Sequence, residues 1–180
     1  MKLNAKELRL AGELEAEEAV VSVKRRPIIL ILENIYDTYN VGGLFRLADA
    51  LAVEKVYLCG QMEIPPNPKI KKASIGTYKV VPWEYRESTG EVIDELRSPK
   101  PEVRGPKFQI IAVEQSEKSI PYTEAKYNLP VALIVGNETF GVLPETLAKA
   151  DTIVEIPMWG VNKSLNVIVS AAIVAYHVAK

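Results

Sequence analysis

The sequence predicts an α/β domain with a largely parallel sheet that is flanked by helices on both faces. Two observations lead to this fold class. Short apolar runs, of the kind that form strands buried on both faces, occur at residues 28–32, 55–59, 108–113, 130–135 and 152–156. Segments typical of helices alternate with these runs, and that order is typical of a parallel sheet covered by helices on both sides.

The composition is that of a globular protein. Of 180 residues, 48% are hydrophobic and 25% are charged, which is close to the average for folded domains. No apolar run reaches the ~18 residues of a membrane span, and the first residues lack the apolar core of a signal peptide. A cytoplasmic protein is therefore predicted.

Two classes of site are not expected from the sequence. Cys59 and His177 are the only cysteine and the only histidine, so no zinc or haem cluster is predicted. The net charge is −1 and the isoelectric point is about 6.0, without the basic excess of most nucleic-acid-binding domains. Any nucleic-acid binding must therefore depend on local basic patches.

The first element is a helical arm. Residues 3–23 are rich in Leu, Ala and Glu, which favours a helix with Leu10 and Leu14, together with Ala11 and Ala19, on one side. Its acidic middle is typical of a solvated helix or a loosely ordered arm, and docking onto a partner subunit is the alternative. Pro27 marks the boundary, so residues 1–26 are predicted to form the arm and residues 27–180 the domain.

A strand at 28–32 is followed by a helix that begins near Asn40, a residue type suited to an N-cap. Arg46 lies in its second turn, and its buried side is predicted to carry Val41, Leu44, Phe45 and Ala48. Gly42 and Gly43 cost up to ~1 kcal/mol each in a helix, which predicts a close approach to this backbone. The pattern has no third glycine where a dinucleotide-binding fingerprint needs it.

The middle of the chain carries its most basic stretch. Residues 73–77 are surrounded by Lys69, Lys71, Lys72 and Lys79. These lysines form either a solvated face or a binding site for a phosphate backbone. Trp83 and Tyr85 follow, and they either stack on bases or pack on the core. A helix is predicted at 91–97, a surface loop at 98–106, and a helix at 143–150 with Pro144 in its first turn.

The last quarter of the chain is a strand, a polar loop and a helix. The helical period passes through Leu165, Val169, Ala172, Ile173 and Tyr176. Polar residues lie before and at the start of this helix: Asn162, Lys163, Ser164 and Asn166. Unpaired N–H groups at the start of a helix favour a polar ligand. The alternative is that Ser164 or Asn162 only caps the helix. Polar turns after residues 32, 113, 135 and 156 all follow predicted strands, so they are expected to converge on one site.

Three separated motifs resemble those of the SpoU (TrmH-like) RNA 2′-O-methyltransferases, a family of the SPOUT superfamily. They are Asn40-x-Gly42-x-x-x-Arg46, then Gly136-Asn137-Glu138-x-x-Gly141, and then residues 156–167, Ile-Pro-Met-x-Gly-x-x-x-Ser-Leu-Asn-Val. They occur in the order of the family, and the resemblance covers about residues 27–178. The three together are far more specific than any one of them.

The resemblance implies a fold, a cofactor and partners. The fold would carry a deep trefoil knot at its carboxyl-terminal end, the protein would be a homodimer, and S-adenosylmethionine would bind in the knotted loops. The substrate would be tRNA or rRNA. The family's cofactor-contacting positions match Val113, Gly136, Ile156 and Leu165. Its catalytic positions match Arg46, Asn40, Glu138, Ser164 and Asn166.

The sequence departs from the family pattern in two places. Thr139 and Phe140 follow Glu138, where the family often has glycine, and this difference is expected to reshape the cofactor entrance or the subunit contact. No separate RNA-binding domain precedes the core as it does in some relatives. RNA is therefore expected to contact the core, the arm or the patch formed by Lys69, Lys71 and Lys72, and a compact substrate such as tRNA is favoured.

A catalytic role for Arg46 follows from the resemblance and from guanidinium chemistry. Because a guanidinium keeps its proton, Arg46 is expected to bind the adjacent phosphate and to polarise the ribose 2′-hydroxyl. The alternative for Arg46 is a structural role in a surface ion pair with Asp49 or Glu33. The alternative for Glu138 is a structural carboxylate at an interface or at the positive end of a helix dipole. Two rival functions stay open at this point: a non-catalytic RNA-binding relative, and a small-ligand-binding α/β regulatory module.

Overall fold

The structure is a computed structural model that describes residues 2–98 and 107–180. Seven strands form one sheet in the order β3-β2-β1-β6-β4-β7-β5, and every neighbouring pair is parallel. The strands are β1 Arg26–Glu33, β2 Val53–Cys59, β3 Trp83–Arg86, β4 Gln109–Val113, β5 Ile120–Pro121, β6 Val131–Val135 and β7 Thr152–Glu155. The predicted fold class is confirmed, although β3 and β5 were not predicted as strands.

Seven α-helices accompany the sheet in the described part of the chain. They are α1 Ala5–Leu10, α2 Glu13–Ser22, α3 Thr38–Ala50, α4 Pro68–Ser74, α5 Thr89–Arg97, α6 Pro144–Lys149 and α7 Val167–Val178. The predicted helices at 91–97 and 143–150 are confirmed, whereas α4 was missed. Apart from Ser98, the loop predicted at 98–106 lies outside the described residues.

The sheet is buried on both faces, which explains its aliphatic strands. In β1, Ile28, Leu30 and Leu32 contribute to a core under α3 and α7. Ile29 and Ile31 point to the opposite face and pack in a second core that includes Ile93 of α5. Alternate residues of a strand point to opposite faces, so a strand buried on both sides has no polar face.

Helix α3 begins earlier than the sequence predicted. Asp37 is its N-cap, and the Asp37 side chain accepts a hydrogen bond from the Tyr39 N–H at 2.8 Å. The prediction that Asn40 caps this helix is therefore wrong. Asn40 is buried inside the first turn, which frees its side-chain amide for contacts with other segments. The predicted buried side of α3 is confirmed, because Val41, Leu44, Phe45 and Ala48 are each fully buried.

The two glycines of α3 allow close helix packing, as predicted. A Cβ on Gly42 would lie 2.8 Å from the Ser74 backbone nitrogen of α4, and it would overlap the Cβ of Ala73. A Cβ on Gly43 would meet the side chain of Ile168 in α7. Helices α4 and α7 therefore pack directly on the backbone of α3.

Replacement of Gly42 by alanine is expected to lower the free energy of unfolding by about 1–3 kcal/mol, because overpacking forces the backbones apart. Chemical denaturation of the two proteins measures the difference. Gly12→Ala is the matched control, since a Cβ at Gly12 meets no atom within 4 Å. A Gly42→Ala protein as stable as the parent would contradict the close packing of α3 and α4.

The amino-terminal segment differs from the single helix predicted at 3–23. It forms α1 and α2, which are separated at Gly12. Of the predicted apolar side, Leu10 and Leu14 are 74% and 77% exposed, whereas Ala11 and Ala19 are buried. A small cluster packs this segment on the core instead, and it includes Leu8, Ala16, Ala19 and Val80.

Lys79 joins the amino-terminal segment to the core through hydrogen bonds. Its ammonium group donates a hydrogen bond to the Ala11 carbonyl at 2.7 Å and approaches the Arg9 carbonyl at 3.4 Å. Lys79 is half-buried, and its N–H groups point at the break between α1 and α2. It therefore has a structural role and is not part of an exposed basic patch.

Helix α7 also starts later than expected, because Leu165, which the predicted helical period includes, lies before it. Asn166 is the N-cap, with its side chain accepting from the Ile168 N–H at 2.8 Å, so neither Ser164 nor Asn162 caps the helix. The buried residues include Val167, Ala171, Val174 and Val178. Of the residues on the predicted helical period, Val169 and Tyr176 are 44% and 53% exposed, whereas Ala172 and Ile173 are half-buried. Val169 and Tyr176 thus form an exposed apolar surface on the outer side of α7. The trefoil knot stays a prediction.

Candidate active site

Polar loops at the carboxyl ends of the parallel strands surround one cavity of 740 Å³. These loops follow β1, β4, β6 and β7, so the predicted convergence of four turns is confirmed. The lining side chains and backbone come from Tyr36, Asp37, Asn40, Val113, Glu114, Gln115, Val135, Gly136, Asn137, Glu138, Thr139, Gly141, Val154, Glu155, Ile156, Met158, Asn162, Lys163, Ser164, Leu165, Asn166, Val167 and Ser170. Ligands of open parallel sheets bind at this edge.

A chain of side-chain hydrogen bonds crosses the wall of the cavity. The Asn166 amide donates to Asn40 Oδ1 at 3.0 Å, and the Asn40 amide donates to Glu138 Oε1 at 2.9 Å. The three residues belong to the three sequence motifs, and they are 126 and 98 positions apart in the chain. Asn40 therefore connects the start of α7 to the loop after β6.

Glu138 is also bound by backbone N–H groups at the entrance to α3. Its carboxylate accepts from the Tyr36 N–H at 3.3 Å and from the Asp37 N–H at 3.2 Å. A carboxylate near a helix amino terminus is favoured by the unpaired N–H groups and the helix dipole. The helix-dipole alternative for Glu138 is therefore realised, and the same carboxylate also fixes Asn40.

All four residues predicted to contact the cofactor line the cavity. They are Val113 at the end of β4, Gly136 after β6, and Ile156 and Leu165 in the loop between β7 and α7. The absence of a side chain at Gly136 is required by its surroundings. A Cβ there would lie well inside 3.0 Å of the backbones of Gly141 and Val142, so the loop after β6 folds directly back over this residue.

The charges around the cavity favour a cationic ligand. Asp37, Glu114, Glu138 and Glu155 contribute carboxylates, whereas Lys163 is the one basic residue among the described residues of the lining. Clefts lined by one sign of charge concentrate ligands of the opposite sign. A ligand with a net positive charge therefore has an electrostatic advantage here over a neutral analogue.

Arg46 is not part of the cavity of its own chain. It is exposed on α3, and it is absent from the described residues that line the cavity. Within residues 2–98 and 107–180, no ion pair joins Arg46 to Asp49 or Glu33. Glu33 instead accepts from the Thr146 hydroxyl at 2.6 Å and the Leu143 N–H at 2.8 Å. The guanidinium is thus available to a partner.

Ser164 lies in the cavity wall with an exposed side chain. It precedes Asn166 by two positions, so the two polar side chains of the third motif line the same cavity. Together with Asn40 and Glu138, they bring four of the five predicted catalytic residues to one site. Arg46 is the exception.

Two lining residues that sequence reasoning did not select are Glu114 and Gln115. The Glu114 carboxylate accepts from the Val142 N–H and the Gln115 N–H, both at 2.9 Å. The Gln115 side-chain amide donates to the Lys163 carbonyl at 2.7 Å. Their position directly after a buried strand, in a turn already expected at the site, was the signal that could have identified them.

The predicted RNA-contacting lysines are exposed. Lys69, Lys71 and Lys72 lie on α4, which packs against α3, the helix that carries Arg46. Trp83 instead packs on the core, with its ring 6.2 Å from that of Phe45 in an edge-to-face contact. Tyr85 is 41% exposed, and its hydroxyl donates to the Gly60 carbonyl.

The single cysteine and the single histidine have structural surroundings. Burial in the strand raises the pKa of the Cys59 thiol to about 12, so the thiol stays protonated and unreactive near neutral pH. His177 packs edge-to-face against Tyr122 and Tyr127, with ring centroids 5.2 and 5.6 Å away.

In the ranges that the structure describes, no cluster of three or more His, Cys, Asp or Glu side chains could hold a metal ion. None of the helices described above has both the length and the apolar character to cross a membrane.

A family model and several known proteins match this chain. The model of the SpoU rRNA Methylase family matches residues 27–176. A tRNA (guanosine(18)-2′-O)-methyltransferase of Aquifex aeolicus is 30% identical over 175 residues, which is 94% of this chain and 76% of that protein. A 23S rRNA (guanosine(2553)-2′-O)-methyltransferase of Bacillus subtilis is 31% identical over 161 residues, which is 89% of this chain and 60% of that protein.

Solved structures share the fold. The Aquifex aeolicus TrmH/SpoU tRNA modifying enzyme has a TM-score of 0.74 and 28% identity, with 97% of this chain and 80% of that chain covered. An AdoMet-bound rRNA methyltransferase of Sinorhizobium meliloti has a TM-score of 0.76 and 23% identity, with 95% and 59% covered.

Proposed function

This chain belongs to the SpoU rRNA methylase family, and on that premise we propose that it transfers a methyl group from S-adenosylmethionine to a ribose 2′-hydroxyl of tRNA or rRNA. The observation that carries the proposal is the convergence of the three family motifs. Residues from all three line one cavity, and Asn166, Asn40 and Glu138 are joined there by hydrogen bonds.

The lining of the cavity suits S-adenosylmethionine in polarity and charge. Gly136 contributes its backbone to the lining, with the loop after β6 packed where a side chain would be, and Val113, Ile156 and Leu165 offer apolar contacts for an adenosine group. The excess of carboxylates suits a ligand that carries a sulfonium and an ammonium group. When bound, this cofactor supplies an electrophilic methyl group, so the protein mainly positions the partners and stabilises charge.

In this proposal, side chains from three motifs prepare the site for the ribose. Asn40 is held between Glu138 and Asn166, which fixes both of its amide atoms. Ser164 and Asn166 orient the ribose or the cofactor at the amino terminus of α7. Arg46 binds the neighbouring phosphate and polarises the 2′-hydroxyl as negative charge develops on its oxygen.

We propose that the protein works as a homodimer, because Arg46 and the cavity of the same chain are separate. A second copy would bring Arg46 to the cavity of its partner. The outer side of α7, with exposed Val169 and Tyr176, supplies the apolar surface that such a contact requires. Lys69, Lys71 and Lys72 on the neighbouring helix α4 then contact phosphates of the bound RNA.

Transfer of labelled methyl groups to bulk tRNA and bulk rRNA tests the proposed activity. We expect incorporation into one of the two pools, and mapping of ribose methylation in cells with and without the gene then identifies the nucleotide. Binding of S-adenosylmethionine without transfer to either pool would support a non-catalytic RNA-binding relative. Failure to bind the cofactor in calorimetry would support a regulatory module for another small ligand.

A further inference from the structure

We propose that Gln115 is a positioning residue for the cofactor, because it holds the loop of residues 157–165 against the sheet. This inference rests on the proposed function, since the loop matters as part of a cofactor site. Gln115 lies directly after β4, and its side-chain amide donates to the Lys163 carbonyl across the cavity wall at 2.7 Å. This distance is at the short end for an N–H···O bond.

The loop has few other attachments. Its residues from Trp159 to Leu165 are all exposed. Among residues 2–98 and 107–180, the bond from Gln115 is the one hydrogen bond that joins residues 157–165 to another part of the chain. The remaining bond in this segment is local, from the Ser164 N–H to Asn162 Oδ1 at 3.4 Å. One side chain thus restrains the middle of an otherwise exposed loop.

The acceptor of this bond is next to predicted functional groups. The Lys163 carbonyl belongs to the peptide that continues into Ser164, and Leu165 follows. A bond to this carbonyl therefore fixes the peptide plane immediately before the predicted ribose-orienting serine and the predicted cofactor contact. Misplacement of such groups by about 1 Å is enough to lower turnover strongly.

Two residues that directly follow β4 form hydrogen bonds with two different loops. Glu114 binds the loop after β6 through the Val142 N–H, and Gln115 binds the loop after β7 through the Lys163 carbonyl. A rigid strand of the sheet thus sets the separation between the two loops that enclose the cavity. Sites supported by such rigid elements hold their geometry better than sites on free loops.

The test removes the hydrogen-bond donor of Gln115 while keeping the shape of its side chain. Gln115→Glu is nearly isosteric, but an ionised carboxylate accepts hydrogen bonds and donates none, so it faces the Lys163 carbonyl without a bond. Gln115→Met removes the donor without adding charge. Gln61→Glu is the matched control, because Gln61 is exposed after β2 and does not line the cavity among the described residues.

Both Gln115 variants are expected to raise the KM for S-adenosylmethionine by roughly three- to tenfold, the range for one lost hydrogen bond. The KM for RNA should stay within about twofold. Cleavage by trypsin after Lys163, which lies in this loop, should accelerate by a similar factor without added cofactor, while cleavage elsewhere and the thermal midpoint stay unchanged. Gln61→Glu should alter none of these quantities.

The outcomes separate this inference from the proposed function. Unchanged cleavage after Lys163 and an unchanged cofactor KM in Gln115→Met would overturn the positioning role, even if the enzyme methylates RNA. Faster cleavage in the variants without any cofactor binding by the parent protein would contradict the proposed function, and the cofactor role of Gln115 would fall with it. An effect in Gln115→Glu alone would assign the change to the new charge and would also overturn the inference.

Discussion

Replacement of Arg46 by alanine is expected to lower the rate of methyl transfer by about a thousandfold or more, a loss typical of groups that stabilise developing charge or position a proton. The affinity for S-adenosylmethionine should stay within about twofold, because Arg46 is absent from the cavity lining among the described residues. Single-turnover rates and equilibrium binding of the cofactor measure the two quantities separately.

Arg9→Ala is the matched control for this prediction. Arg9 is also an exposed arginine on a helix, so its loss makes the same change in net charge outside the three motifs. Its rate should stay within about twofold of the parent. A normal rate in the Arg46→Ala protein would refute the catalytic assignment, and equal losses in both variants would indicate a general dependence on charge.

Mixed dimers test whether Arg46 acts across the subunit contact. If it does, a dimer of one Arg46→Ala subunit and one Gly136→Ala subunit keeps one complete site, formed by the Gly136 of one chain and the Arg46 of the other. Such a mixture should regain activity that neither variant has alone. If Arg46 served its own chain, neither site would be complete and the mixture would stay inactive.

Replacement of Gly136 by alanine is expected to reduce cofactor affinity by at least a hundredfold. The added methyl group would overlap the backbones of Gly141 and Val142, which cannot move as easily as the end of a flexible side chain. The loop after β6 must shift, and Glu138 shifts with it. Titration calorimetry with S-adenosylmethionine measures the loss, and the overpacking should also lower the free energy of unfolding by about 1–3 kcal/mol.

Gly90→Ala provides the matched substitution in this experiment. A Cβ on Gly90 meets its nearest atom, the Lys149 ammonium, at an ordinary 3.5 Å, so the protein should bind the cofactor normally. Tight binding in the Gly136→Ala protein would contradict the cofactor site. Loss of binding in both variants would trace the effect to general destabilisation.

The strands and the site were predictable because their signals are local. The aliphatic run of β1 is required by burial on both faces, and polar turns after consecutive parallel strands must lie at one edge of the sheet. The close approach at Gly42 and Gly43 could also be predicted, because glycine is unfavourable inside a helix unless another segment needs the space.

The errors arose where tertiary contacts override local preference. Asn40 is a good N-cap in isolation, but Asp37 caps α3 and leaves Asn40 to bind Glu138 and Asn166. The helical period at the end of the chain included Leu165, but Asn166 caps α7 and leaves Leu165 in the preceding loop. The short strands β3 and β5 carry too few aliphatic residues to be recognised from sequence.

The contact from Gln115 to Lys163 could not be predicted, because it joins residues 48 positions apart. A hydrogen bond of this kind depends on the relative position of two loops, and no periodic pattern in the chain encodes that position. The separation of Arg46 from the cavity of its own chain is of the same kind, since the motif shows which residue is present but not where the fold places it relative to the cavity.

Nucleoside analysis of RNA methylated by the purified protein tests the central claim most directly. RNA incubated with methyl-labelled S-adenosylmethionine is digested to nucleosides, and the labelled product is identified by mass spectrometry. The account predicts a single 2′-O-methylated ribonucleoside, which disappears when the target position of the substrate carries a 2′-deoxyribose. A label found on a base, or no label on any RNA despite tight binding of the cofactor, would contradict it.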